Sequence, residues 1–583
     1  MSQISVNTTA SQPGAIDPIT TEIIRNAFIS IAHDMNATLI RSAFTPVIYE
    51  GKDCSVALID EHGEVLGQSL GLPLFLGNLE ICVKIIAEKH GWDYFQEGDV
   101  FYMNDSYMTG THLNDATFVM PIFWKGKRIG FAASRAHWLD VGAKDPGTPV
   151  DSFEIYQEGM RWGPTRLYDG GKPRWDVMEL LRLNSRFGDA TIGDMNAQIA
   201  AGRTGEKRLK ELFDRFGTET IAAARDEIFR QTERLEREAV SALPDGTYSA
   251  EGYLDNDGLS KDPLLVNLTL KVEGDSMTVD LAGSAPQARG PVNCGITQTI
   301  AAARVAYKLL ICSEVSPNGG SFRPLTVTAP AKTIFSAEEP AACGWYFSSL
   351  GLLIDLVIKA LAPALPDKAA GAHYGDSMVI TIAGQDTRNN DEFYLTIEPT
   401  TGGWGGFIDG DGANSLINNV NGSFKDLPTE VFEAKYPVQL TDYGIREDSG
   451  GPGRYRGGNG TFREYLVHTD ATLFLWFERS VTPAWGLFGG GEGRKPNVVV
   501  TYPDGRTEEY LKCNGVALTK GTVVKTFSGG GGGYGPAFER DPEHVRQDIL
   551  DGYVTTGHAA KAYGVAITDD HQVDEKGTAA LRG

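Results

Sequence analysis

Past a polar N-terminal stretch, Asp17 reads as an N-cap and Pro18 as the first helical residue. Ile23, Ala27, Ile31, Met35 and Leu39 then recur at helical spacing, which predicts an amphipathic helix over residues 18 to about 42. The period shortens in "CSVALIDEHGEVLGQS", which reads as two strands joined at "DEHGE". The stretch from Gly110 to Asp140, "GTHLNDATFVMPIFWKGKRIGFAASRAHWLD", reads as two more strands turned at Trp124 to Arg128. From Gly193 to Leu243 charged and apolar residues segregate onto opposite helical faces, and the run stops at the turn "LPDGTY". Short strands follow, then a helix over Thr297 to Val315 and another over about Ser348 to Ala364.

Beyond residue 375 the pattern is strands separated by glycine-rich loops, among them "TTGGWGGFIDGDGANS", "REDSGGPGRYRGGNGTFREY" and the run Gly529 to Gly533. No regular repeat period runs through it. The expectation is an α+β, multi-domain chain with mixed sheets and helices in the N-terminal half and a β-rich, glycine-loop C-terminal part. Its divisions are an N-terminal α+β domain over 1–243, a middle α+β domain over 244–375 and a β-rich domain over 376–583.

Charge narrows the partners. Lys plus Arg total 53 against 76 Asp plus Glu, a formal net charge of -23, and no Lys/Arg-rich run offsets it. Such a surface repels phosphate backbones and anionic membranes, so neither nucleic acid nor a membrane is expected as a partner. The apolar stretch Leu350 to Leu365 is interrupted by Asp355 and Lys359 and falls short of the about 20 residues of a spanning helix. The N-terminus lacks the basic and apolar regions of a secretion signal, so a cytoplasmic protein is expected. Cys54, Cys82, Cys294, Cys312, Cys343 and Cys513 stand singly without a CxxC, which reads as buried thiols and not as a zinc site.

His112 and Asp115 lie three residues apart, and a hairpin turned at Trp124 to Arg128 returns the chain so that His137 can meet them. Two imidazoles and a carboxylate are what Zn, Mn or Fe(II) take from a protein while leaving positions open for water or substrate. Asp53 and Asp140 could add a fourth ligand or a hydrogen bond that orients an imidazole. Spacing alone leaves this open against ordinary histidines satisfied at a turn. There is no GxxxxGK(S/T), no GxGxxG between strand and helix, no GxSxG and no HExxH. The glycine run 529–533 therefore reads as tight backbone packing, and the chain shows no nucleotide loop. His373, in the polar loop "GAHYGDS", is a weaker candidate for substrate contact.

In sequence order, "DPITTEIIRNAF", "NDSYMTGTHLNDATFVMPIF", "ASRAHWLDVGAKDPG", "EIYQEGMRWGP", "GDMNAQIAA", "DLAGSAPQARGPVNC", "NGGSFRPLTVTAP", "REDSGGPGRYRGGNG" and "ERDPEHVRQDILDGYV" resemble signatures of the hydantoinase B/oxoprolinase family, nearly end to end. The resemblance implies a subunit that works with a hydantoinase A-type partner, whose actin-like ATPase fold supplies the ATP and Mg site missing here, in a heterotetramer. It also implies that His112, Asp115 and His137 hold a divalent metal (Zn, Mn or Fe), as the matching residues do in the ketone carboxylase branch. Two positions depart from members that open cyclic amides: Gly51 stands where those carry arginine and Phe75 where those carry histidine. Both changes remove polarity, which points to a substrate more apolar than hydantoin or oxoproline, such as a simple lactam or an aryl ketone.

The leading expectation is a subunit of an ATP-dependent cyclic amide hydrolase. The partner phosphorylates the amide carbonyl and a metal-activated water attacks it, with Asp53 completing or orienting the site and Asp140 or a neighbouring carboxylate accepting the proton. The alternatives are a subunit of an ATP-dependent acetone- or acetophenone-type carboxylase, which joins an activated enol to carbon dioxide at the same ligands, and a non-catalytic scaffold.

Overall fold

The computed structural model describes residues 16–583. Helix α1 (Pro18–Ser42) starts where its cap requires, with the Asp17 carboxylate accepting the Thr20 N–H at 2.9 Å. Its buried stripe is Ile24, Phe28, Ile31, Met35 and Leu39, while Ile23 is 42% exposed. A strict four-residue step overshoots the 3.6-residue turn, so the row through Ile23 and Ala27 drifts off the buried face and Ile24 and Phe28 replace it.

The first sheet joins β1 (Cys54–Ile59), β2 (Val65–Gln68), β3 (Val100–Met103), β4 (Asp115–Trp124), β5 (Lys127–His137), β6 (Thr165–Asp169) and β7 (Lys172–Pro173) in the antiparallel order β2-β1-β5-β4-β3-β6-β7. The β4–β5 hairpin turns on Lys125 and Gly126, both at positive φ, as a two-residue turn matched to the strand twist requires. Alternation assigns the two faces. Val56, Leu58, Ala116, Phe118 and Met120 pack toward α1, and Ala57, Ile59, Val119, Phe131 and Ala133 pack toward helix α2 (Leu79–His90). The long helical span α3 (Gly188–Ser241) packs beside α1 but breaks at Gly217, at φ 73° and ψ 165°. The charge pattern predicted one helix here, and a single glycine redirects it.

A second, four-stranded sheet has the order β11-β10-β9-β8, built from β8 (Gly246–Leu254), β9 (Leu264–Glu273), β10 (Ser276–Asp280) and β11 (Leu325–Thr328). It shares a hydrophobic core with α4 (Ile296–Leu310) and α5 (Tyr346–Leu361). The next two sheets have the orders β13-β12-β16-β19 and β14-β15-β20-β17-β18. Their strands are β12 (Val379–Asp386), β13 (Glu392–Glu398), β14 (Val438–Ile445), β15 (Thr461–Val467), β16 (Ala471–Trp476), β17 (Asn497–Thr501), β18 (Thr507–Tyr510), β19 (Lys512–Leu518) and β20 (Val523–Phe527). Ile380, Ile382, Leu473 and Leu475 of one sheet and Val498, Val500 and Val524 of the other share one core. Three short helices, α6 (Pro542–Leu550), α7 (Thr556–Tyr563) and α8 (Glu575–Arg582), close the chain, so its β-rich part ends in helix.

Gly529–Gly533 runs through the middle of a bundle of other glycine segments. Gly403 N–H donates to Gly529 O (3.1 Å), Gly406 N–H to Gly532 O (2.8 Å), Gly451 N–H to Gly531 O (2.8 Å) and Gly531 N–H to Gly458 O (2.9 Å). A Cβ on Gly531 would stand 2.0 Å from Trp404 O, and one on Gly530 1.7 Å from Ser449 O. Backbone fills the space on every side, which is the packing role the sequence suggested. Gly531→Ala is expected to cost about 3 kcal/mol, the upper end of overpacking, because backbone cannot swing aside. Urea denaturation measures it, and an unchanged midpoint would contradict the packing.

Of the six cysteines Cys54, Cys82, Cys294 and Cys343 are buried and none is paired, but Cys312 and Cys513 are only half-buried. Among the described residues no helix is long and apolar enough to cross a membrane.

Candidate metal centre

Register builds the site. Asp115 pairs with His137 across β4 and β5, and Cys54 pairs with Ala136 across β1 and β5, so Asp53 falls beside His137 on its other flank. Asp53 O accepts the His137 N–H at 3.1 Å. By alternation Asp53, Asp115, Arg135 and His137 share the face that carries Ala57, Val119 and Ala133, so the apolar face becomes polar at this end of the sheet. His112 enters from the loop before β4. Asp105 caps a single helical turn, Ser106–Thr109, Gly110 ends it in the left-handed region, and the Asp115 N–H donates to His112 O (3.1 Å), which brings both side chains to one point. The Asn104 amide braces this loop by donating to Leu113 O (2.8 Å) and Met160 O (3.0 Å).

His112 Nε2, Asp115 Oδ1 and His137 Nδ1 converge: His112 to Asp115 is 2.9 Å, His112 to His137 is 3.1 Å and His137 to Asp115 is 3.3 Å. Two atoms each about 2.1 Å from one ion stand about 3.0 Å apart at a right angle and about 3.4 Å apart at the tetrahedral angle, so the triangle has the size of a ligand set. Its chemistry agrees. His112 Nδ1 lies 2.9 Å from Gly344 O, where it must donate, so neutral His112 turns a bare Nε2 lone pair toward the Asp115 carboxylate. Only a proton or a cation relieves that contact.

All three side chains are buried. Burial lowers the His137 imidazole, with His112 beside it adding to the effect. Burial favours protonation of Asp115, but hydrogen bonds and charge from His112 and His137 outweigh it and hold the carboxyl well below its usual range. Both shifts leave the deprotonated forms that ligation needs. His112 goes the other way: burial lowers it, yet the Asp115 charge and hydrogen bond lift it above its ordinary value, so proton and cation compete for Nε2. Asp53 is pushed well up by burial and by the Asp115 charge, and its Oδ1 is buried without a hydrogen-bond partner, as is His137 Nε2. Among the described residues this trio is the one group of three or more His, Cys, Asp or Glu arranged to hold a metal.

The trio and Asp53 line a cavity whose other walls are mainly apolar, including Val47, Leu72, Phe75, Phe347, Ile397 and Phe424. Its polar groups away from the trio are Thr148, Ser377, Thr381 and Asn421. Phe75 also lies against Arg135, whose guanidinium carbon is 5.6 Å from the ring centroid. Gly51 sits behind the wall, where an added side chain would meet Phe424 at 3.0 Å. The sequence did not single out Tyr346, whose hydroxyl donates to Asp115 Oδ2 at 2.9 Å. It comes from the start of α5, far along the chain, and no spacing rule links it to His112.

Asp140 is not brought to the cluster. Its carboxylate pairs with Arg186 Nη1 (2.6 Å) and accepts the N–H groups of Arg186 (2.7 Å) and Gly142 (3.3 Å), and it lines a separate small cavity with Tyr102, Trp138 and Trp162. An engaged carboxylate in another cavity is badly placed to take a proton at the trio. His373 is buried as well, 2.8 Å from Asp355 through Nδ1, and it is Ser377 a few residues on that reaches the cavity.

The family model for hydantoinase B/oxoprolinase matches residues 17–537. The chain is 33% identical to the B-type subunit of a putative D-/L-hydantoinase of Pseudomonas sp. (strain NS671), covering 97% of this chain and 98% of that one. It is 32% identical to the beta-type subunit of the caprolactamase of Pseudomonas jessenii, covering 97% and 99%. The crystal structure of the ATP-dependent caprolactamase from that organism superposes with a TM-score of 0.90 over 97% of this chain and 99% of that one. Acetone carboxylase in its nucleotide-free structure shares the fold, with a TM-score of 0.89 at 20% identity over 97% of this chain and 82% of that one.

Proposed function

The chain belongs to the hydantoinase B/oxoprolinase family, and on that footing we propose that it is the metal-bearing subunit of an ATP-dependent hydrolase that opens an apolar cyclic amide. The observation that carries this reading is the His112–Asp115–His137 triangle in the wall of a cavity whose other walls are mainly apolar. No nucleotide loop is present in the sequence, so ATP with its Mg belongs to a hydantoinase A-type partner subunit, which phosphorylates the amide carbonyl oxygen.

A divalent ion held by His112 Nε2, Asp115 and His137 Nδ1 would supply acidification of water and stabilisation of negative charge on oxygen. The chain's own groups do the rest. Gly344 O fixes the His112 tautomer, and the Tyr346 hydroxyl orients Asp115. Asp53, buried and partner-free at Oδ1, is held protonated by burial and the Asp115 charge alone; with a divalent charge beside it, it would be a carboxylate and take the proton as water adds to the activated carbon. The carbon–nitrogen bond then breaks as the leaving nitrogen takes that proton back from Asp53, which opens the ring to an acyl phosphate, and a second water cleaves this to phosphate and the carboxylate of the amino acid. Phe75, Phe347 and Phe424 exclude bulk water and receive the methylenes of the ring.

That wall sets the expected preference. Burying a methylene stabilises by about 0.8 kcal/mol, and caprolactam carries about four more than hydantoin, so the ceiling is about 3 kcal/mol, or about a hundredfold in kcat/KM. With the partner co-purified, ADP release should therefore be driven by lactams at least about tenfold better than by hydantoin, and without bicarbonate. A second reading, a ketone carboxylase subunit, draws on the same trio, since an enolate also needs neutralising, and on a cavity as hospitable to an aryl ketone. ADP release that requires both a ketone and bicarbonate would select it. A purified complex without metal or turnover on either class would leave the scaffold reading.

A further inference from the structure

We propose that Glu158 is the positioning residue on which the trio's ligating geometry depends, acting through the turn 343–346 without touching a ligand. This rests on the metal-site reading above. Glu158 is 2% exposed. Its Oε1 accepts the Gly344 N–H (2.8 Å) and the Ser152 hydroxyl (2.7 Å), and its Oε2 accepts the Cys343 N–H (2.9 Å). Both amides can only donate, so the carboxylate is matched to them as an acceptor at both oxygens. Burial pushes Glu158 up to about 7, against the pull of Ser152 and the two amides.

The turn that Glu158 holds carries two of the hydrogen bonds that fix the trio. Gly344 O faces His112 Nδ1 at 2.9 Å, and the Tyr346 hydroxyl donates to Asp115 Oδ2 at 2.9 Å. The Gly344–Trp345 peptide is pinned further by Trp345 N–H to Pro291 O (2.8 Å) and Trp345 Nε1–H to Pro149 O (2.8 Å). Loss of the bonds to the 343 and 344 amides leaves that peptide held from its Trp345 side alone, so Gly344 O can tilt away from His112 Nδ1. His112 then loses the acceptor that keeps its proton on Nδ1 and its Nε2 bare. A buried carboxyl one backbone residue from His112 therefore sets whether that imidazole is a ligand.

The test uses the full chain assembled with its partner. Chelator competition with Zn²⁺ and with Mn²⁺ compares wild type with Glu158→Gln, Gly344→Ala and Ser152→Ala, near-UV circular dichroism checks the fold, and ¹⁵N-histidine shifts report the His112 tautomer. Glu158→Gln keeps the shape but faces one buried amide with an NH₂ group, so affinity should fall about 10- to 100-fold with loss of the Nδ1-protonated signature. Gly344→Ala retains the carboxylate but puts a Cβ 2.9 Å from Glu158 Oε1 and 2.8 Å from Thr148 Cγ2, and should weaken binding likewise. Ser152→Ala, which leaves both amides bonded, should bind metal as wild type does. A folded Glu158→Gln with wild-type affinity and tautomer overturns the proposal, as does an equal loss in Ser152→Ala. If Glu158→Gln does not fold, Gly344→Ala decides in the same way. Wild type that binds neither ion overturns the metal-site reading itself, and this one with it.

Discussion

Replacing His137 with alanine is expected to abolish metal content and ATP-coupled turnover together. Only His112 and Asp115 then remain of the trio, fewer than the three protein ligands a catalytic ion keeps. The loss in kcat should be at least about 10³-fold, the upper order found when one group that stabilises a developing oxyanion is removed. The fold should survive, because the bond between strands here is made by the His137 backbone N–H to Asp53 O, which alanine retains. Metal analysis, size-exclusion of the complex and ADP release test the three parts separately. Normal assembly with full metal and full activity would remove His137 from the site.

The strand alternation that makes this substitution clean also explains what the sequence could reveal. That Asp115 and His137 could meet was countable from the hairpin, but spacing left the trio open as a ligand set and the family resemblance singled it out; the place of Asp53 beside His137 rests on the pairing of β1 with β5, which no local pattern announced. Asp140 looked equally close in sequence, but it lies beyond the end of β5, where register no longer governs direction, and Arg186 claims it. Glu158, Tyr346 and Phe347 belong to segments joined to the trio only by tertiary packing, and no periodicity reports that. At the level of elements, the helical face of α1 was readable but slipped by a residue at its start, because a four-residue step is not the period of a helix. The break in α3 was missed because one glycine weighs little in a charge pattern and much in a backbone.

Asp53→Asn separates the two roles left for the second acidic group of the cavity. The substitution keeps size and polarity and removes the negative charge and the ability to accept a proton. Asp53 flanks His137, lines the same cavity, and has a buried Oδ1 that bonds to nothing among the described residues. The trio's donor atoms are mutually 2.9 to 3.3 Å apart and form a complete triangle without it. A carboxylate beside such a triangle is placed as a base, so the variant should retain its metal and bind ATP through the partner as wild type does. Its kcat should fall about 10²- to 10⁴-fold, the usual worth of a positioned general base. Were Asp53 a ligand, metal content would fall together with kcat, and added Zn²⁺ or Mn²⁺ would restore part of the activity. Undiminished turnover with metal bound would exclude both roles and leave water to lose its proton to solvent.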